Sequence, residues 1–478
     1  MAIQHIPIAL TYDDVLIIPR RSTFKSRDEA VTKTRLTKKI NINIPIVSAN
    51  MDTVTESEMA IALARLGGIG IIHRFMTIEE NVEEIKRVKR AQRFIISDPY
   101  HIGPKKTIEE AKKFITECGV SGLLVADENK KLVGILSSRD FLFTNGHKYV
   151  EEIMTAREKL IVGSAHTTFE EAKMTLAKNK IEKLPLVDEQ DHIIGIITTD
   201  DIKHRADYPL ANTDDQGRLL VGGAIGVHGD YLERARELIK AGADVLVIDI
   251  AHGHSDLMVN AVSKVREMCG NVQIIAGNIA TGEAARELCK IGVDAVKVGI
   301  GPGTTCITRL ITGCGVPQLT AVMQCADMAK KYGVPVIADG GVQKSGDIVK
   351  AVGAGADTVM VGGMFAGIHE SPGVIMSRGD RKFKVCRGSA SFAVAQRRQN
   401  IKQERKDLSE VVAEGVESLV PYKGYLREMI GQLVGGLKSG MSYVNAHTIA
   451  ELQQNVEFIR VTNAGWKESG PHDLEQIR

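Results

Sequence analysis

A chain of 478 residues, 44% of them hydrophobic, exceeds the usual size of one domain and can furnish a substantial core, which excludes general disorder and predicts two or three domains. With 61 basic against 59 acidic residues the formal charge is +2, so there is no overall bias toward polyanions and nucleic acid is not an expected partner. No apolar run reaches about 18 residues, and the opening Met-Ala-Ile-Gln-His-Ile-Pro lacks the charged-then-apolar layout of a signal peptide, so no membrane association is expected either. Seven cysteines at irregular spacings, without paired C-x-x-C elements, fit reduced thiols in a cytoplasmic protein.

Along the chain, short apolar runs ending in small or polar residues recur at 44–48, 68–73, 219–225, 244–250, 272–278, 294–298, 334–339 and 357–362. Stretches with helical spacing of apolar residues separate most of them, among them 231–241, 282–291 and 346–352. Eight strand-and-helix units predict a closed (β/α)8 TIM barrel of the α/β class, with an open doubly wound sheet as the alternative.

The long gap between the second and third runs holds an internal repeat. Thr107-Ile108-Glu109-Glu110-Ala111 returns 61 positions on as Thr168-Phe169-Glu170-Glu171-Ala172, and residues 132–140 return as 193–201. Each copy pairs a helix with two β runs. The expected organisation is therefore a first part of the barrel at 1–91, a repeated insert at 92–207 and the remainder of the barrel at 208–478. The insert resembles a tandem pair of cystathionine-β-synthase (CBS) domains, in which Ser137 with Asp140 and Thr198 with Asp201 would contact the ribose of a regulatory purine nucleotide. The plainer reading of the same residues is helix capping.

The C-terminal ends of barrel strands carry the chemistry of such folds. After the sixth run comes Gly299-Ile300-Gly301-Pro302-Gly303-Thr304-Thr305-Cys306, a glycine-rich loop around one cysteine. Its glycines allow backbone N–H groups to approach a phosphate, and the thiol could attack an electrophilic carbon; the alternative is a turn with a buried structural cysteine. Asp339-Gly340-Gly341 follow the seventh run and Gly362-Gly363 the eighth, where barrels commonly bind phosphate. Asp339 could accept two ribose hydroxyls or cap a helix. Three glycine clusters at the last three strand ends point to a nucleoside monophosphate.

The motifs Leu10-Thr11-Tyr12-Asp13-Asp14-Val15, Ala49-Asn50-Met51-Asp52-Thr53-Val54, the Cys306 loop, Gly315-Val316-Pro317-Gln318, Ala338-Asp339-Gly340-Gly341, Gly362-Gly363-Met364-Phe365-Ala366-Gly367 and Glu414-Gly415 occur in an order that resembles the IMP dehydrogenase and GMP reductase family. The resemblance implies a homotetramer, with octamers an open question, whose cysteine bonds to C2 of a purine nucleotide. Catalysis would fall to Cys306, with Thr308 and Glu414 as a proton relay, and Arg74 would stand where reductases carry a basic residue, usually Lys. Met51, Gly303, Thr304, Asp339, Gly340, Gly341, Gly362, Gly363, Gly388, Ser389 and Ser391 would hold the nucleotide. Asp249 and Asn278 would line the cofactor side, and the carbonyls of Gly301, Gly303 and Cys306 would offer a site for potassium.

Dehydrogenases of the family hydrolyse their adduct with an Arg-Tyr pair on a flap before the Glu-Gly element. Between Ser391 and Glu414 this sequence has basic residues and no tyrosine. The expectation is therefore GMP reductase activity, in which NADPH reduces the adduct and GMP becomes IMP and ammonia. The alternative is IMP dehydrogenase with NAD, favoured by the CBS insert and by residues 435–441 (GGLKSGM). A catalytically silent purine-nucleotide sensor is the reading of another class.

Overall fold

The computed structural model describes residues 6–91, 96, 99–140, 148–402 and 412–471. It divides into two compact units, residues 1–91, 210–214 and 219–478, and residues 92–209 and 215–218. The expected start of the insert at residue 92 lies outside the described residues.

In the first unit eight parallel strands close a barrel: β1 (Ile46–Ser48), β2 (Ile69–Ile72), β3 (Val221–Ile225), β4 (Val245–Asp249), β5 (Gln273–Ile279), β6 (Ala295–Val298), β7 (Val336–Asp339) and β8 (Thr358–Val361). Each falls within, or one residue beyond, an apolar run read from the sequence. The closing pair, β8 with β1, aligns Met360 with Val47. Alternation along each strand separates two cores. Val47, Ile69, Ile71, Val245, Val247, Ile275, Ala295, Ile337 and Met360 fill the barrel interior, while Ile46, Ile72, Leu246, Val296 and Val359 pack against the surrounding helices.

The N-terminal face is built for stability. Asp244, Asp294 and Asp357 stand just before β4, β6 and β8, and each carboxylate accepts the N–H of the preceding strand's first or second residue, Val221 at 2.8 Å, Ile274 at 2.9 Å and Val336 at 2.9 Å. Each also meets a cation: Lys89 at 2.7 Å, Arg266 at 2.6 Å and Arg35 at 3.2 Å. These pairs fasten neighbouring strands where no chemistry is expected.

The second unit repeats its own geometry. Helices Ile108–Cys118 and Phe169–Asn179 both start on a Thr whose hydroxyl accepts an N–H from the third helical residue, Glu110 or Glu171. Each helix leads to an antiparallel pair, Gly122–Ala126 with Leu132–Ser137 and Lys183–Val187 with Ile193–Thr198. A register shift interrupts both at the equivalent place, after Val125 and after Leu186. Leu124, Leu132, Val187 and Ile196 form a small core shared by the copies. Among the described residues no helix is long and apolar enough to cross a membrane.

Candidate active site

The C-terminal end of the barrel holds a cavity of about 340 Å³. The loop after β6 reaches it through Gly299, at φ +152°, where a Cβ would lie 2.0 Å from the carbonyl oxygen of Asp339; no other residue allows the loop to pass so close to the end of β7. Arg309 fixes the far side of the loop, donating from Nε to the carbonyl of Ile300 at 3.1 Å and from Nη2 to that of Val316 at 2.5 Å.

Three separated segments then weave together. Cys306 pairs with Gly415 in an antiparallel bridge, and Ser391 pairs with the same Gly415 in a parallel one. The N–H of Ile307 donates to the carbonyl of Glu414 at 2.9 Å, that of Val416 to Thr305 at 2.9 Å, and that of Glu414 to Ala390 at 3.1 Å. Segments far apart in the chain are thus held by backbone bonds, independent of side-chain rotamers. Within this frame Cys306 Sγ lies 3.2 Å from Thr308 Oγ1, and the Thr308 hydroxyl donates to Glu414 Oε2 at 2.8 Å. Sulfur, hydroxyl and carboxylate form one continuous path along which a proton can move.

The opposite wall is ionic. Lys297, only 2% exposed, donates to Asp339 Oδ2 at 2.6 Å, to Asp249 Oδ2 at 3.0 Å and to Asn278 Oδ1. Asn278 Nδ2 donates to Asp339 Oδ2 at 2.9 Å and to the carbonyl of Gly299 at 2.7 Å. Burial works against the charge on Lys297, but Asp249 and Asp339 outweigh it and raise its pKa above the ordinary lysine value. Burial likewise opposes the charge on Asp249, yet Lys297 and Arg74 hold its carboxyl below the usual range. Burial lowers the pKa of Arg74, with Asp249 opposing, and its Nε has no hydrogen-bond partner among the described residues.

Of the residues expected from sequence, Cys306, Thr308, Glu414, Arg74, Met51, Gly301, Gly303, Asp339, Gly340, Gly388, Ser389, Asp249 and Asn278 line this cavity. Thr304, Gly341, Gly362, Gly363 and Ser391 are not among the lining residues. Thr304 packs so tightly on Gly363 that a Cβ there would meet its hydroxyl at 2.6 Å, and Ser391 is buried with its N–H bonded to Gly388. Asn278, expected on the cofactor side, is joined by its side chain to Asp339 and Lys297. Lys297 itself escaped the sequence reading; its signal was a lone cation in an otherwise apolar strand.

In the glycine-rich loop the carbonyl of Gly303 accepts the Cys306 N–H at 3.0 Å. In the second unit the Asp140 carboxylate accepts the N–H and hydroxyl of Ser137 at 2.7 and 2.8 Å, and the Asp201 carboxylate those of Thr198 at 2.9 and 2.6 Å. Both pairs have the geometry of local caps.

The IMP dehydrogenase / GMP reductase domain matches residues 9–472. An inosine-5′-monophosphate dehydrogenase of Nitrosopumilus maritimus is 50% identical over 469 residues, covering 97% of this chain and 98% of the relative. A GMP reductase of Leishmania major is 47% identical, with 99% and 98% covered. A crystal structure of Trypanosoma brucei GMP reductase, a variant with one cysteine replaced by alanine, in complex with guanosine 5′-monophosphate superposes with a TM-score of 0.91 at 45% identity, covering 98% of this chain and 99% of that one. A thiol, hydroxyl and carboxylate aligned at the mouth of a parallel barrel, and matches along nearly the whole sequence, lead to one conclusion: the chain belongs to the IMP dehydrogenase / GMP reductase family of purine nucleotide oxidoreductases.

Proposed function

We propose that the protein is a GMP reductase, converting GMP, NADPH and a proton to IMP, NADP and ammonia. The observation that carries this reading is the complete path from Cys306 through Thr308 to Glu414, combined with a flap sequence, residues 392–413, that contains no tyrosine to activate water. The part of the flap at 403–411 lies outside the described residues.

Cys306 Sγ attacks C2 of the guanine ring, and the 2-amino group leaves as ammonia with a proton delivered along the Thr308–Glu414 path. Glycine N–H groups after β6, β7 and β8, with Gly388 and Ser389, hold the phosphate, while Asp339 holds the ribose. Met51 packs at Gly362 beneath the base. NADPH, when bound, supplies the hydride that C2 receives as the C–S bond breaks. On the cofactor side Asp249 supplies acceptors for a carboxamide, and Arg74, half-buried beside it, supplies a fixed positive charge. A guanidinium stays charged across the working pH range, so Arg74 acts by its field and not by giving up a proton.

The insert is read as a CBS pair binding a regulatory purine nucleotide near Ser137, Asp140, Thr198 and Asp201, supported by its two geometrically equivalent copies. Potassium at the carbonyls of Gly301, Gly303 and Cys306 and a cytoplasmic homotetramer complete the proposal.

Incubation with GMP and NADPH, and separately with IMP and NAD, tests the reading. Loss of NADPH absorbance with GMP is expected. NADH formation from IMP, with no NADPH oxidation by GMP, would establish the dehydrogenase instead, a reading that the 50% identical N. maritimus relative favours.

A further inference from the structure

We infer that Lys297 is a positioning residue that orients Asp339 toward the nucleotide ribose and joins that grip to Asp249 on the cofactor side. The inference rests on the reading of Asp339 as the ribose acceptor.

The placement follows from the strand. Ala295 lies in the barrel interior, and two residues on the period of β6 points Lys297 inward again, one layer nearer the C-terminal mouth. An ammonium has three protons, and Lys297 directs them to three acceptors: Asp249, Asn278 and Asp339. With every proton committed it has none to give the substrate, so its role is geometric and electrostatic.

On Asp339, Lys297 and Asn278 both donate to Oδ2. Two donors on one oxygen fix the plane of the carboxylate. Its Oδ1 accepts no hydrogen bond among the described residues, and the side chain, at 20% exposure, lines the cavity. That oxygen is consequently preset for a ligand hydroxyl before any nucleotide arrives. The same ammonium holds Asp249, so two carboxylates serving two ligands share one counter-ion. Removing the cation would set them against each other at low dielectric, with Arg74 beside Asp249 only.

Binding of GMP and of 2′-deoxy-GMP to the full chain tests this. One hydroxyl bonded to a charged acceptor gives the wild type a preference for GMP of about tenfold or more. Asp339→Asn is expected to lose it, and Lys297→Met to lose it to a similar extent while still binding both nucleotides. Lys297→Arg, which keeps the charge, is expected to regain part of it. If Asp339→Asn loses the preference and Lys297→Met keeps it, Lys297 has no positioning role. If Asp339→Asn itself keeps the preference, the ribose assignment fails and the inference with it. Should Lys297→Met not fold, Asp249→Asn decides, because it leaves Lys297 in place but releases it toward Asp339. A shift of the GMP preference by about threefold or more is expected there, since hydrogen bonds to charged groups respond on that scale, and no shift overturns the inference.

Discussion

Cys306 differs from the other cysteines by its surroundings. Burial pushes the thiols of Cys289 and Cys386 up to about 11 and that of Cys325 up to about 12, which keeps them unreactive. Cys306 is half-buried and touches a hydroxyl that is itself bonded to a carboxylate. Alkylation by iodoacetamide, read by peptide mass spectrometry, is expected at Cys306 and at exposed Cys314, with GMP protecting the first and not the second. Equal labelling of Cys306 with and without GMP would place the nucleotide elsewhere. Thr308→Val breaks the path to Glu414 without changing shape, so turnover should fall by about 10²- to 10⁴-fold with GMP binding retained. A fall of less than about threefold would show that the proton takes another route.

At the scale of elements, the strands were legible because parallel barrel strands are buried on both sides and read as unbroken apolar runs; residues 244–250 and 334–339 needed no context. Cys306 and Asp339 stood out in the sequence by their place after strand ends, and Thr308 only through the family resemblance. Lys297 was not, because a strand's period tells which face a residue takes but not whether acceptors from other strands converge there. Asp244, Asp294 and Asp357 were visible as the first letters of strands, yet their pairing across to the neighbouring strand was not. Lys89, on the helix Ile78–Ala91, shows what these bottom-face pairs contribute. It is buried and bonded to Asp244 and, at 3.2 Å, to Asp214. Burial raises the pKa of Asp244 and Lys89 opposes that rise. Lys89→Met removes the opposition, so the folded-state pKa climbs further above its unfolded value. A raised carboxyl favours the fold while protonated and disfavours it as pH rises. The variant should therefore lose about 3–5 kcal/mol near neutral pH, and the loss, followed by urea midpoints, should be smaller at acidic than at alkaline pH. A deficit that grows on acidification would contradict this account.

For the whole molecule, the insert leaves and rejoins the barrel at one place. The carbonyl of Ala91 accepts Arg65 Nη2 at 2.9 Å, and the N–H of Asn212 donates to the carbonyl of Ala64 at 3.0 Å. Both ends meet the same helix terminus, Ser57–Arg65, so a short linker can replace residues 92–209 without opening the barrel. Every residue lining the cavity belongs to the first unit. Such a deletion variant is expected to keep turnover comparable with the full chain and to lose any response to added purine nucleotides. Inactivity in a variant that remains folded by circular dichroism would show that catalysis depends on the insert. The internal repeat pointed to a separate unit in this stretch, whereas Ser137 with Asp140 and Thr198 with Asp201 decide nothing about a ligand, because they satisfy a cap and a ribose contact equally well.

Gly415 is bridged to Cys306 on one side and to Ser391 on the other, so both ends of the stretch between Ser391 and Glu414 are tied to the backbone beside the sulfur. The contacts among the sulfur, hydroxyl and carboxylate use none of the residues 392–413. On the proposed reading, whether water or hydride takes the adduct is set by this one segment. An exchange of residues 392–413 between a reductase and a dehydrogenase of the family is then expected to move the preference for one reaction toward the other.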